Sequence, residues 1–138
     1  MMTNDQVLVY AQGTQLLLVG SFQTNGAAAP TIIRDGHCTL VTSVVRVSAG
    51  VFLVQMEQCP EPEKPVVAFA YVNPAANAVP TVGCAAAVVD STYSNSTRQF
   101  TVRTYSLAAA PAAVDPDVGA RVGFMIVGSI NSAGTDNA

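Results

Sequence analysis

The sequence predicts an all-β protein, an antiparallel β-sandwich or jelly roll of about seven to eight strands, with a small β-barrel as the runner-up. Three observations predict it. Apolar residues alternate with a period of two in several short stretches, the spacing that turns one face of a strand toward a core. Gly, Pro and Asn punctuate those stretches, as turns do. Nowhere do apolar residues keep helical spacing over a sustained run.

The elements follow in order. Leu16, Leu18, Gly20 and Phe22 share one face of a first strand, and Gln15, Leu17, Val19, Ser21 and Gln23 share the other. Apolar residues on both faces suit an inner strand or an interface strand. Thr24, Asn25 and Gly26 supply a turn, because Asn-Gly readily takes positive φ. Ala29 to Ile33 resumes an extended stretch, and Asp35-Gly36 closes it. Two β-branched runs, Val44 to Val47 and Val51 to Glu57, flank Ser48, Ala49 and Gly50 and predict a hairpin. Phe52, Val54 and Met56 fall on one face, Gln55 and Glu57 on the other. Residues 58–65 hold Pro60, Pro62 and Pro65 among Glu61, Glu63 and Lys64, which predicts an exposed loop. Val66 to Val72 is a continuous apolar run and suits a buried strand. Residues 73–80 form another loop.

A second hairpin is expected from Cys84 to Asp90 pairing with Gln99 to Leu107, across Ser91 to Arg98. Residues 108–117 are Ala-rich and favour helix by propensity, but Pro111 and Pro116 leave room for one turn at most. The last strand runs from about Ala120 to Ile130. Val122, Phe124, Ile126 and Ile130 line one face; Met125 and Val127 lie opposite. The reading is one domain, 1–138, with short flexible termini at about 1–5 and 131–138.

Composition bounds the function. Half of the 138 residues are hydrophobic, yet only 11% are charged, against about 25% in ordinary domains. Either neutral polar residues cover the surface, or partners do. The formal net charge is −3 and no basic run exists, which argues against nucleic acid and against an anionic membrane as partner. No basic stretch precedes an apolar one near the start, so synthesis in the cytoplasm is expected. Cys38, Cys59 and Cys84 lack metal-site spacing and read as free thiols.

Chemistry is hard to find. The single histidine, His37, sits beside Asp35-Gly36 in a turn, and no nucleophile elbow accompanies it. Asp115 and Asp117 flank Pro116 and read as a solvated turn, with too few ligands for calcium. Asn95, Ser96 and Thr97 match a glycosylation sequon but read as a polar hairpin loop. No catalytic residue, cofactor or metal site is expected.

Gly20 to Gly26 with Ala29, Pro30 and Thr31, the hairpin Val44 to Phe52, and the final strand Gly119 to Gly128 resemble small structural proteins of tailed bacteriophages, the capsid decoration (cement) proteins and related virion proteins. The resemblance covers most of the chain loosely and rests on turn motifs. It implies a β-rich subunit on the capsid surface of the virion. Its partners would be the major capsid protein and copies of itself, the trimer being expected and a dimer being the alternative. The family has no catalytic residues to carry over. Leu17, Val19, Met125 and Val127, on strand faces with apolar residues on both sides, are the interface candidates; a second core face is the competing reading for them. Two other functions compete: a tail- or fibre-associated virion β domain, and a carbohydrate- or receptor-binding sandwich.

Overall fold

The computed structural model describes residues 15–34, 41–57, 67–75, 80, 83–94 and 96–129. They form eight strands and no helix: β1 (Gln15–Asn25), β2 (Ala28–Ile32), β3 (Val41–Ser48), β4 (Val51–Met56), β5 (Val67–Asn73), β6 (Cys84–Ser94), β7 (Gln99–Ser106) and β8 (Arg121–Ser129). Two four-stranded antiparallel sheets result, one ordered β2-β1-β8-β5 and the other β3-β4-β7-β6. The predicted β-sandwich is therefore the architecture. Two separate sheets take the place of the closed barrel. β2 lies beside β3 and β5 beside β6, so the sheets meet along both sides.

Alternation builds the core. Leu18 and Phe22 from β1, and Val122, Phe124 and Ile126 from β8, point inward from the first sheet. Val44, Phe52, Val54, Met56, Phe100 and Val102 answer from the second. Rings bridge the layers: Phe22 meets Phe52 with centroids 4.9 Å apart, and Phe100 meets Phe124 edge-on at 5.1 Å. Each fully buried side chain of this size contributes about 1.5–3 kcal/mol, so this double row of rings is the main adhesive between the sheets.

Two elements differ from expectation. β6 runs on to Ser94 instead of stopping at Asp90. A bulge between Val89 and Ser94 carries it past the irregularity. There the Thr92 hydroxyl accepts from Thr101 N–H (2.8 Å) and donates to Val89 C=O (2.6 Å), substituting for ladder bonds. Tyr93 then anchors the extension by stacking on Phe100. Secondly, β5 is not buried on both faces. Ala68, Ala70 and Val72 pack on the core, while Phe69 and Tyr71 stay exposed.

The connection from β7 to β8 (107–120) closes one end of the sandwich. Thr104 is fully buried, and its hydroxyl donates to Val114 C=O at 2.6 Å. Thr24 is also buried, and its hydroxyl reaches Asp117 C=O at 2.8 Å and Ala120 C=O at 3.1 Å. These are the only buried polar residues among those described, and both hold this connection. Gly50 sits beneath it with φ 65°. A β-carbon there would strike the Thr104 carbonyl and the Val114 backbone, so only glycine lets the connection close on the β3–β4 turn.

Candidate functional site

Strand register fixes which side chains share the outer face of the β2-β1-β8-β5 sheet. Val19 is opposite Met125, and Met125 is opposite Phe69; Ser21, Gly123 and Tyr71 form the next row; Gln23, Arg121 and Asn73 form the one beyond. Three of the sequence-derived candidates, Val19, Met125 and Val127, thus lie on this outer face, half-buried, not between the sheets. Leu17 pairs in register with Val127, and its side chain lies outside the described set.

The sequence reads β5 as buried and does not place Phe69 and Tyr71 on an outer face. Phe69 is 45% exposed and Tyr71 37%. A continuous apolar run hides which residues turn outward. The available signal was size: Ala68 and Ala70 alternate with Phe69 and Tyr71, and the small pair is the one that fits against the core. Tyr71 folds down across β8. Its hydroxyl end occupies the place a β-carbon on Gly123 would take. The ring therefore rests on the strand backbone and turns its other side to solvent.

At the Gln23–Arg121–Asn73 row, next along from Tyr71, lies a polar depression of about 440 Å³ whose lining also includes Ile33, Pro74 and Gly119. The Gln23 amide donates to Gly119 C=O at 3.2 Å, which holds its carbonyl oxygen in place as an acceptor. Arg121 and Asn73 are exposed, and their side chains make no hydrogen bond or ion pair among the described residues. A second pocket, by Val72, Pro80, Cys84 and Pro116, holds only about 50 Å³, far below the roughly 300 Å³ that a small ligand needs. Burial there pushes the Cys84 thiol above its usual range, with Asp117 adding to the effect. That favours its protonated form at neutral pH.

The other outer face, on β3-β4-β7-β6, is built from the polar row Ser43–Gln55–Gln99 and the rows Val45–Leu53–Thr101–Val89, Val51–Arg103–Ala87 and Tyr105–Ala85. Val45 is 51% exposed and Val47, at a bulge, 62%; Tyr105 is 37% exposed and Leu107, just past β7, 68%. Arg103 is the one charged residue in these rows. It too is exposed with no partner among the described residues. Two adjacent valines, Val44 and Val45, already require one to point outward, which was the sequence signal for this patch.

The remaining chemistry-bearing groups do not converge. Asp115 is not in a solvated turn. It accepts from Arg46 Nε at 3.0 Å, from Arg46 Nη2 at 2.7 Å and from Gly50 N–H at 3.0 Å, and Pro116 beside it is buried. Its carboxyl is held below the usual carboxylate range, chiefly by the Arg46 hydrogen bonds. Both oxygens are engaged, which removes Asp115 as a ready cation ligand. Among the described residues no three His, Cys, Asp or Glu gather to hold a metal, and no helix is long and apolar enough to cross a membrane. His37, Cys38, Cys59, the Pro-rich segment 58–65, Asn95 and the tail 131–138 lie outside the described residues.

Fold and surface together define an antiparallel β-sandwich with two charge-poor outer faces, each graded from apolar to polar. Comparison with protein families, with characterised proteins and with solved structures finds no match for the chain.

Proposed function

We propose that the protein is a non-catalytic virion structural subunit that decorates a capsid shell, docking on the major capsid protein through the outer face of the β3-β4-β7-β6 sheet. One observation carries the reading. Val45, Val47, Tyr105 and Leu107 stand exposed on or beside rows that hold a single charge, Arg103, which has no partner among the described residues. Apolar, aromatic and arginine side chains with no Lys, Asp or Glu make the composition of a protein-docking patch. Arg103 asks for a carboxylate on the partner, since a buried guanidinium without one is strongly unfavourable. A second copy offering the same rows brings another arginine and no acid within them, so the capsid subunit is the better occupant. The sequence resemblance and the low overall charge point the same way. Assembly on the shell, with a trimer as the expected form, adds further patches by symmetry and stabilises the shell by mass action.

The test is co-sedimentation of the purified protein with intact heads and, separately, with isolated tails. Saturable binding to heads, lost in the double variant Val45→Asp/Val47→Asp, is expected. Binding to tails alone transfers the protein to the tail. Binding to neither removes the assembly reading.

A further inference from the structure

We propose that the opposite outer face, on the β2-β1-β8-β5 sheet, binds an acidic sugar, a pyranose unit carrying a carboxylate, with its ring on Tyr71 and its carboxylate at Arg121. The inference does not depend on docking through the other sheet. Tyr71 is laid across Gly123 with one side of its ring open. An aromatic ring seated this way is a platform for the C–H face of a saccharide, because its π-face is electron-rich and the backbone beneath it restricts its motion before the ligand arrives. Phe69, one row along on the same strand, extends the platform.

The polar groups belong to the next row, within reach of a sugar lying on Tyr71. Residues two apart on one strand face are about 6.8 Å from each other. The Gly123 row beneath Tyr71 and the Arg121 row are so related. That distance spans half a pyranose ring, its exocyclic carboxylate and one hydrogen bond. Arg121 offers the fork of donors that matches a carboxylate. Asn73 offers a donor and an acceptor, and Gln23 an oriented carbonyl for a ring hydroxyl. These groups converge on an open depression large enough for one to two sugar units. A nucleotide would also stack, but one arginine in a chain of net charge −3 lacks the cationic footprint that phosphate backbones require.

The experiment is a titration of the isotopically labelled full chain by NMR, with tri-galacturonate as probe and the neutral galactose trisaccharide as its control. Shifts are expected at the amides of Tyr71, Asn73, Arg121 and Gly123, saturating at millimolar concentration, with the neutral sugar at least about tenfold weaker. Tyr71→Ala and Arg121→Gln should each weaken binding about tenfold or more. Gly123→Ala, which displaces the Tyr71 ring, should act like Tyr71→Ala while the rest of the spectrum stays unchanged. No shift at these amides, or equal shifts with the neutral sugar, overturns the proposal. If Tyr71→Ala removes binding to heads and no sugar perturbs the face, it is a protein interface instead.

Discussion

Arg46 and Asp115 lie 69 residues apart in the chain and meet through two parallel hydrogen bonds, 3.0 and 2.7 Å long. Asp115 also takes the Gly50 N–H. One carboxylate thus fastens the β7–β8 connection to both the strand and the turn of the β3–β4 hairpin. The side chains are 19% and 18% exposed, sheltered enough to hold a fixed geometry.

The first prediction concerns pH. Asp115 has a lower pKa in the folded state than in the unfolded one, so the ionised form stabilises the fold. That contribution is complete above the ordinary carboxylate value of about 3.9 and is lost as pH falls from there through the lowered folded value. Thermal unfolding followed from pH 7 to pH 3 should show a stability loss that Asp115→Asn has already suffered at pH 7. A variant as acid-sensitive as the parent would contradict this.

Thr104→Val should destabilise the protein by about 1–3 kcal/mol. It keeps the shape but removes the hydroxyl that satisfies the Val114 carbonyl in a fully buried place. Urea denaturation gives the number. Thr104→Ser, which keeps the donor, should recover most of the hydrogen-bond part.

Gly50→Ala should cost at least about 2 kcal/mol, more than the usual Gly-to-Ala strain at positive φ, because the new methyl meets backbone atoms that cannot yield. Gly26→Ala makes the comparison. It has a similar φ of 59° but only ordinary contact with Val118, so it should be the milder of the two by calorimetry.

Val45→Asp/Val47→Asp should leave stability within about 0.5 kcal/mol per site, as exposed substitutions do, while abolishing shell binding. Arg103→Glu should weaken binding with a changed salt dependence. Arg121→Glu, the same change on the opposite face, should leave shell binding as it was.

Most of the architecture was legible in the sequence because alternation states plainly which side of a strand is dry. Phe52, Val54 and Met56 lie buried as their spacing requires, and so do Val122, Phe124 and Ile126. The outward side of each strand was harder. Met125 and Val127 could be placed opposite the core, yet whether their face meets solvent or a third layer depends on packing between strands distant in sequence. Phe69 and Tyr71 reverse the usual order, large residues out and alanines in, since β5 sits at a sheet edge close to β6 and only small side chains fit inward there. Asp115 looked solvated because its partner is in another hairpin, a fact that no local pattern encodes.

The long pairing of β1 with β8, from Gln15↔Ser129 to Gln23↔Arg121, bears on how the chain is made. β1 leaves the ribosome before the other strands and acquires only the short β2 as a local neighbour; its principal partner is the last of them. β5 waits for the same strand. Hairpins β3–β4 and β6–β7 form from nearby residues, but the first sheet stays open at its centre until β8 emerges. Contacts of such sequence separation slow folding, and the waiting strands expose unpaired edges meanwhile. Any chain cut short before Arg121 keeps those edges for good, so truncated products are expected to aggregate, whereas the completed protein closes its sheet in one late step.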